Sequence, residues 1–435
     1  MNQKLIFIFE FVSGGGFNQV EIPSSLFCEG FGMLRSIITD FKALGFEIHT
    51  LLDSRIFFLS KFLKADNIRK VNKHDDYLQF FKNLVKKCNY IFIIAPETSN
   101  ILYNLTKICK NSKKILLSTN LYGIKKGTSK IITNKFFENY GVLTPRTYRI
   151  PYKKNHLDES YIREKFRTLK RRVIIKPEDG VGAESIHYIE DEIEISNFLE
   201  NFNVNLEKNR KYIIQEFIEG KDLSISLIGC RHFNESPKIL SINSQKVSIK
   251  NLKSEYLGGC TPLENHRDIN KKLSKIMKRI NFLKIEGYFG IDLIEKHDHS
   301  FYFIELNPRL TTSYIGIRNV INLNFAELLL NSKFKIQTEP EINMHAYSCF
   351  TRIDFCSNKF ENLETFYENL MPKLIRLIPE IVTPPISLDD SKNFSCFIAT
   401  QTKDLYSSKI RVNEIIQTLQ NLNFKVVKPI KIKLL

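Results

Sequence analysis

At 435 residues the chain exceeds what one compact core usually holds, so its length predicts two to four domains. The 43% hydrophobic and 12% aromatic content excludes an intrinsically disordered chain. A net charge of +17 would suit a nucleic-acid partner, but the lysines are spread along the whole chain and form no nucleic-acid-binding motif. No apolar run reaches the roughly 20 residues of a membrane helix, so we expect a cytoplasmic protein without a membrane or nucleic-acid partner.

The eight cysteines are scattered, and no two have the spacing of a C-x-x-C metal or redox motif. Cysteines without such spacing are mostly buried and behave as small apolar residues. We therefore expect free thiols in a reducing compartment.

Residues 1–119 alternate strand and helix patterns. Short apolar runs predict strands at 4–10, 46–53, 90–96 and 114–119. A helical repeat of apolar residues from about Glu29 ends at Gly45. Strands that alternate with helices form parallel sheets, whose ligands bind at the carboxyl ends of the strands. We therefore predict a parallel α/β domain here.

A glycine-rich segment, Ser13 to Gly16, follows the first strand directly. Backbone amides without a neighbouring Cβ can approach an anion closely. A flexible loop explains the same residues equally well, so the sequence leaves both interpretations open.

Three further segments follow. Residues 120–228 contain a β-rich lobe with a glycine loop, and residues 229–335 contain a long strand, an amphipathic helix and a hairpin. Residues 336–435 alternate strands and a helix in an α+β pattern. The predicted domains are therefore 1–119, 120–228, 229–335 and 336–435.

The most informative segment is the predicted hairpin at 287–309. Two alternating apolar stretches flank four turn-forming residues. If Lys296 faces Phe301, Asp292 lies directly opposite Glu305. Like charges that face each other across a strand pair repel. The sequence therefore predicts a proton or a cation between the two carboxylates.

Asn307 lies two residues beyond Glu305 and hence on the same face of its strand. Two carboxylates and an amide oxygen are hard ligands that suit Mg²⁺. We predict a metal site at Asp292, Glu305 and Asn307, with an exposed face of solvated charges as the alternative.

A second motif lies at 173–186, where a strand ends at Lys176 and a loop with Gly180 and Gly182 leads to another strand. Glycine amides can close over phosphates, and a lysine at the strand end adds positive charge. The loop connects two strands, so it is neither a Walker loop nor a dinucleotide fingerprint. An ordinary hairpin turn is the alternative.

A third motif, IIQEFIEGKD at 213–222, suits a nucleoside. Its backbone groups can pair with an adenine edge, and the Asp222 carboxylate can accept hydrogen bonds from ribose hydroxyls. An amphipathic strand followed by a turn is the alternative.

In this order the motifs resemble those of the ATP-grasp superfamily, in which two α+β lobes clamp Mg-ATP. The resemblance covers roughly residues 1–330 and rests on SK at 129–130, IIKP with DGVGA, QEFIEGKD, GID and ELNPR. It implies a mixed fold of α/β and α+β parts: an ATP-grasp fold with an N-terminal Rossmann-like parallel α/β domain and a C-terminal α+β extension.

The resemblance also implies a role for each matching residue. Nucleotide contacts would come from Lys130, Lys176, Gly180, Gly182, Gln215, Glu216, Phe217, Ile218 and Asp222. Mg²⁺ or Mn²⁺ would be held by Asp292, Glu305 and Asn307. Arg309 and Lys176 would be catalytic, because they would stabilise charge on the transferring phosphoryl group.

Within the superfamily, three segments are similar to the tyramine–glutamate ligases of methanofuran biosynthesis and their bacterial relatives. They are FEFVSGGGF at 9–17, CEGFGMLRSIITDF at 28–41, and NSQKVSI with YLGGCTP at 243–262. This similarity implies an ADP-forming enzyme that joins glutamate to tyramine or a related amine through an acyl phosphate. Its partners would be small-molecule substrates, and a homodimer is left open.

Two alternatives keep the fold: a ligase acting on other amino acids, of the lysine or D-alanine type, and a non-catalytic ATP-binding regulatory protein. Further candidates for lining the amine and glutamate pockets are Ser13 to Gly16, Glu29, Gln245, Tyr256 and Thr311. The tail after about residue 340 extends beyond a minimal ligase of this kind, and we hypothesise that it supplements the substrate cleft or forms an oligomer contact.

Overall fold

The computed structural model describes residues 4–180, 185–204, 210–230, 237–250, 253–264, 266–334, 341–356, 362–388 and 392–428. Its strands form three larger sheets and one two-stranded hairpin. Among the helices in these ranges, none is long and apolar enough to cross a lipid bilayer.

The N-terminal sheet has five parallel strands in the order β3-β2-β1-β4-β5. Its elements are β1 (Leu5–Glu10), α1 (Ser24–Ala43), β2 (Glu47–Asp53), β3 (Asn67–Val71), α2 (Tyr77–Lys87), β4 (Tyr90–Ile94), α3 (Ile101–Asn111) and β5 (Ile115–Leu116). Every residue of β1 is buried, as expected of a parallel strand covered on both faces. The parallel α/β arrangement predicted from the alternating patterns is thus confirmed.

The edge strand β3 has no counterpart in the sequence-based prediction. Its sequence NIRKV contains Arg69 and Lys70, and only Val71 is buried. Charged residues on an edge strand discourage pairing with other chains. They also remove the apolar alternation on which the prediction of a strand depends.

A second sheet of four strands, in the order β10-β9-β11-β6, forms a small lobe with its own apolar core around Phe166, Ile175 and Phe198. Its pairs are antiparallel. The elements of this part are α4 (Leu121–Gly127), α5 (Lys130–Glu138), β6 (Thr147–Arg149), β7 (Tyr152–Lys153), β8 (His156–Leu157), α6 (Glu159–Thr168), β9 (Val173–Pro177), β10 (His187–Ile189), α7 (Glu192–Val204) and β11 (Tyr212–Glu216).

The third sheet is the largest, with β16-β15-β12-β13-β14-β17-β19-β18 in order and β20 paired to β17. Its strands are β12 (Lys221–Gly229), β13 (Lys238–Lys250), β14 (Lys253–Thr261), β15 (Gly287–Glu295), β16 (Phe301–Asn307), β17 (Ser348–Cys356), β18 (Ile381–Ile386), β19 (Asn393–Ala399) and β20 (Lys425–Lys428). The helices of this part are α8 (His266–Met277), α9 (Ser313–Val320), α10 (Phe325–Phe334), α11 (Leu363–Thr365), α12 (Met371–Leu377) and α13 (Leu405–Asn421).

The large sheet continues into the C-terminal tail. β17 pairs with β14, and β18 packs on α1 of the N-terminal domain. One apolar core therefore contains Phe31 of α1, Ile315 of α9 and Phe350 of β17. Strand pairing crosses the predicted domain limits at residues 228 and 335, because β12 pairs with β13 and β15 and because β14 pairs with β17.

Two of the eight cysteines depart from the expectation of free thiols. Cys260 of β14 and Cys349 of β17 are direct cross-strand partners and form a disulfide. The strand register brings them together across 89 residues of sequence, so their linear spacing carried no sign of the pair. The other six cysteines lie in the described residues and form no disulfide there, and five of them are buried.

Candidate active site

A cavity of about 560 Å³ lies between the small lobe and the large sheet. The structure brings together in its wall the predicted residues Lys130, Lys176, Gly180, Gln215, Glu216, Phe217, Ile218, Asp222, Asp292, Glu305, Asn307 and Arg309. Gly182 lies outside the described residues. Four secondary candidates, Glu29, Gln245, Tyr256 and Thr311, also line the cavity.

The segment Ser13 to Gly16 does not line this cavity. It is a buried turn in which Ser13 donates to the Glu10 carboxylate. A Cβ on Gly14 would lie 2.4 Å from the main-chain oxygen of Glu10. These glycines therefore serve close packing behind β1, and the structure gives them no place in the wall of this cavity.

One end of the cavity is formed by β11 and the residues that follow it. The amides of Glu216 and Phe217 donate to the main-chain oxygens of Arg146 and Arg172, which fixes the end of the strand. Gln215 is buried and donates to Thr147 Oγ1 at 2.8 Å. The three residues after Phe217, Ile218 to Gly220, also line the cavity.

Asp222 lies at the start of β12, close to this end. Burial raises its pKa to about 6. A buried carboxylate of this kind gains from hydroxyl donors, because hydrogen bonds to the ionised form offset the loss of solvation.

Two lysines supply positive charge in the middle of the cavity. Lys176 ends β9 and is only 6% exposed, and Lys130 begins α5 and is 5% exposed. Burial, followed by the charge of Lys130, lowers the pKa of Lys176 to about 8. Two buried ammonium groups in one cavity favour an anionic ligand.

Lys130 also connects the glycine loop to the carboxylates. Its Nζ donates to the main-chain oxygen of Gly180 at 2.7 Å and lies 3.4 Å from Glu305 Oε2. Its amide donates to the main-chain oxygen of Glu178. The start of α5 thus holds the start of the loop in place.

Asp292 and Glu305 are direct partners across β15 and β16, as the sequence predicted. The turn has another register than predicted, because Phe301 faces Glu295 rather than Lys296. An irregularity at Ile304 then shifts the pairing by one residue and restores the pair.

The two carboxylates are not left to repel each other. Asp292 accepts hydrogen bonds from Gln245 Nε2 and from Asn307 Nδ2, both at 2.8 Å, and Glu305 contacts Lys130. Burial, followed by the charge of Glu305, still raises the pKa of Asp292 to about 6. Neighbouring side chains thus satisfy part of each carboxylate, and the expected proton or cation between the two stays a prediction.

Arg309 enters the cavity just after β16. Its Nε donates to Glu97 Oε2 at 3.1 Å, and Glu97 is only 4% exposed. Glu97 follows β4 and reaches the site from the N-terminal sheet. Glu97 was not among the residues predicted from the sequence, although the carboxyl end of a parallel strand is where such a residue is expected.

Comparisons with known proteins match the same segments. A model of the ATP-grasp domain matches residues 127–313, which include Lys130 through Arg309, and a model of the pre ATP-grasp 3 domain matches residues 46–122. A tyramine–L-glutamate ligase of Methanocaldococcus jannaschii is 28% identical over 347 residues, which cover 77% of this chain and 93% of that protein.

Two solved structures share the fold. A protein of Archaeoglobus fulgidus described as a member of the ATP-grasp superfamily has a TM-score of 0.59 at 21% identity, covering 91% of this chain and 99% of its own. The N5-carboxyaminoimidazole synthetase of Staphylococcus aureus, solved with ADP, has a TM-score of 0.61 at 14% identity, covering 95% and 98%. These similarities confirm the fold class predicted from the sequence.

Proposed function

Because the chain belongs to the ATP-grasp superfamily, we propose that it is an ATP-dependent, ADP-forming ligase that joins a carboxylate to an amine. The observation that carries the proposal is the cavity, in which two buried lysines, a facing pair of carboxylates and an arginine share one space. A triphosphate needs the lysines, a divalent cation needs the carboxylates, and a transferring phosphoryl group needs the arginine.

In the proposed complex the nucleotide spans the cavity from β11 to the lysines. Adenine lies against the segment from Gln215 to Ile218, and Asp222 accepts from the ribose hydroxyls. Lys130 and Lys176 neutralise part of the phosphate charge. The buried position of both lysines supports this, because their ammonium groups have little water to compensate them.

Asp292, Glu305 and Asn307 would hold Mg²⁺ or Mn²⁺ in this proposal. Their donor atoms fit, because two carboxylates face each other and the Asn307 amide contacts Asp292. When bound, the cation supplies positive charge to the phosphate oxygens.

The proposed chemistry has two steps. A carboxylate oxygen of glutamate attacks the γ-phosphorus of ATP, the bond to the leaving oxygen breaks, and ADP and an acyl phosphate result. The amine nitrogen then attacks the acyl carbon, phosphate leaves with the electron pair, and the nitrogen loses a proton. Arg309 and Lys176 lie where they can hold the attacking and the transferred groups together.

The substrates are the finer part of the proposal. The tyramine–L-glutamate ligase is similar over 93% of its own length, which supports glutamate as the carboxylate and tyramine or a related amine as the nucleophile. The product would then serve methanofuran-type cofactor biosynthesis. ATP and glutamate are cytoplasmic metabolites, so we propose the cytoplasm as the location.

The test is to measure ADP release with ATP, glutamate and a pool of tyramine, tyrosine and diamino acids, and then to determine the mass of the product. We expect an amide of glutamate and one of the amines. Failure to form ADP with any pair would refute the ligase and favour an ATP-binding regulatory protein.

The double variant Asp292→Asn, Glu305→Gln tests the proposed metal site in the same assay. It should lose magnesium-dependent nucleotide binding and turnover. Unchanged binding and turnover would show that the metal assignment is wrong.

A further inference from the structure

The cavity wall beside Arg309 is built from α1, β14 and the residues that precede α9. These elements contribute the side chains of Glu29, Tyr256 and Thr312. None of the three belongs to the nucleotide or metal sites proposed above. They border the part of the cavity that remains for the other substrates.

Glu29 presents a carboxylate with unused acceptor capacity. Its Oε2 accepts a hydrogen bond from Thr312 Oγ1 at 2.6 Å, and it forms no ion pair within the part of the chain that the structure describes. An ionised carboxylate has about four acceptor sites. Burial raises the pKa of Glu29, so a charge left there without a cation costs free energy.

The two arginines whose charges act on Glu29, Arg309 and Arg352, form ion pairs with other carboxylates. Arg309 donates to Glu97, and Arg352 of β17 donates to Asp354 at 3.0 Å and forms an ion pair with Glu255. Both arginines act on Glu29 through space. Neither forms an ion pair with it, so the carboxylate keeps a place for an external cation.

The position of Glu29 is fixed by the C-terminal tail. Thr383 Oγ1 of β18 donates to the main-chain oxygen of Cys28 at 2.6 Å. About two turns further along α1, Arg35 donates to the main-chain oxygens of Ile381 and Val382. A carboxylate on a helix held in this way is preorganised for a ligand.

Tyr256 adds an aromatic wall to the same space. Burial, followed by the charges of Glu29 and Asp292, raises its pKa well above the usual value, so the phenol stays neutral. A neutral phenol can donate a hydrogen bond, and its ring face attracts cations.

We propose that Glu29, with Thr312 and Tyr256, forms a subsite for a primary ammonium group of a substrate. The proposal rests on the function proposed above and specifies which part of the cavity recognises a substrate cation. Two substrates carry such a group: glutamate through its α-ammonium, and the amine, which binds as its ammonium form and transfers a proton to the Glu29 carboxylate before its nitrogen attacks. A free carboxylate is excluded from this place, because Glu29 would repel it.

The experiment tests whether the bound ammonium group belongs to the amine or to glutamate. It uses hydroxylamine, a small and mostly neutral nucleophile that traps an acyl phosphate as a hydroxamate. Hydroxamate formation from ATP and glutamate reports the first substrate, and amide formation with tyramine reports the second. Both are measured in the wild type, in Glu29→Gln and in the control Glu21→Gln. Glu21 is exposed and lies just before α1.

In Glu29→Gln we expect a KM about 10- to 100-fold higher for one substrate, because a charge-assisted hydrogen bond contributes that much to binding. A higher KM for tyramine with unchanged hydroxamate kinetics assigns the subsite to the amine. A higher KM for glutamate in the hydroxamate assay assigns it to the α-ammonium. Unchanged KM values for both overturn the proposal.

Two measurements keep the outcome clear. If Glu29→Gln is unstable, inhibition of the wild type by two neutralised analogues takes its place: tyrosol, which replaces the ammonium group of tyramine by a hydroxyl, and glutarate, which lacks the α-ammonium group of glutamate. An analogue that binds at least tenfold more weakly than its parent substrate assigns the subsite to that substrate, and equal binding in both pairs overturns the proposal. If the wild type forms neither hydroxamate nor ADP with glutamate, the proposed function fails and the subsite with it.

Discussion

At the scale of single residues, the pair of Glu97 and Arg309 joins two parts of the chain that are 212 residues apart. Arg309 carries the charge that the proposed transfer needs, and Glu97 fixes its Nε. One carboxylate oxygen of Glu97, Oε1, is buried and has no hydrogen-bond partner among the described residues. The carboxylate therefore serves the arginine at a cost in solvation.

The variant Glu97→Gln should lower kcat about 10- to 100-fold, because Arg309 would lose a charge-assisted hydrogen bond of about 1.5–3 kcal/mol. The KM for ATP should change less than threefold, since Glu97 is not among the residues that line the cavity. Steady-state kinetics measure both. The control is Glu159→Gln, which removes an exposed ion pair with Arg163; equal kcat in the two variants would refute the positioning role.

The lowered pKa of Lys176 predicts that nucleotide binding depends on pH. This pKa is about 8 in the folded chain instead of the ordinary 10.5. Between pH 8 and pH 10.5 the folded chain therefore binds fewer protons than the unfolded chain. The free energy of unfolding consequently rises with pH in this range. A bound phosphate favours the charged lysine. The Kd for ADP should therefore increase up to about tenfold per pH unit above pH 8.

Isothermal titration of ADP from pH 7 to 10 checks this. Lys176→Met should bind ADP more weakly at pH 7 and lose this part of the pH dependence. The control Lys135→Met changes an exposed lysine of α5 and should behave as the wild type. A wild-type Kd that is constant from pH 8 to 10 contradicts the assignment of Lys176 to the phosphates.

At the scale of elements, the hairpin of β15 and β16 sets the geometry of the metal site. The irregularity at Ile304 brings Glu305 opposite Asp292 although the turn has another register than the sequence suggested. The pairing of the two carboxylates thus depends on a local insertion in one strand. Such an insertion also increases the local twist, and bulges of this kind are common beside active sites.

Helix α1 depends on a small residue where it crosses β1. A Cβ on Gly30 would lie 2.7 Å from the carboxyl carbon of Glu10, which is buried. Gly30→Ala should lower the free energy of unfolding by about 1–3 kcal/mol through overpacking, although alanine favours helices by about 1 kcal/mol. Urea unfolding measures this. The exposed control Ser25→Ala should change it by about 0.5 kcal/mol or less; a stabilised Gly30→Ala variant would refute the close packing.

At the scale of the whole molecule, the C-terminal tail is part of the large sheet and of the main apolar core. β17 pairs with β14, and β18 contacts α1. The tail thus connects the proposed substrate end of the cavity to the N-terminal domain. Both roles of the tail, the supplemented substrate cleft and the homodimer contact, stay predictions, and sedimentation analysis can test the second.

Truncation at residue 340 should prevent native folding, because it removes β17 to β20 and exposes the apolar faces of α1 and α9 that pack against them. Circular dichroism and gel filtration would detect the loss. Thr383→Val is the milder variant: losing its hydrogen bond to Cys28 should cost about 1 kcal/mol. A truncated chain that is folded and fully active would contradict the role assigned to the tail.

The sequence by itself determined the parallel N-terminal sheet and the three motifs. The pairing of Asp292 with Glu305 was predicted correctly, but from a turn register that the structure does not have. These depend on local patterns: apolar runs, glycines at turns, and the alternation of side chains along a strand. The same patterns could not show β3, whose charged residues hide its pairing at the sheet edge.

The tertiary structure alone decided which distant residues meet. Glu97 reaches Arg309, Lys130 reaches Glu305, Cys260 faces Cys349, and the tail fixes the helix that carries Glu29. The physical reason is that each of these contacts follows from sheet order and from the packing of layers, which short-range periodicity in the chain does not encode.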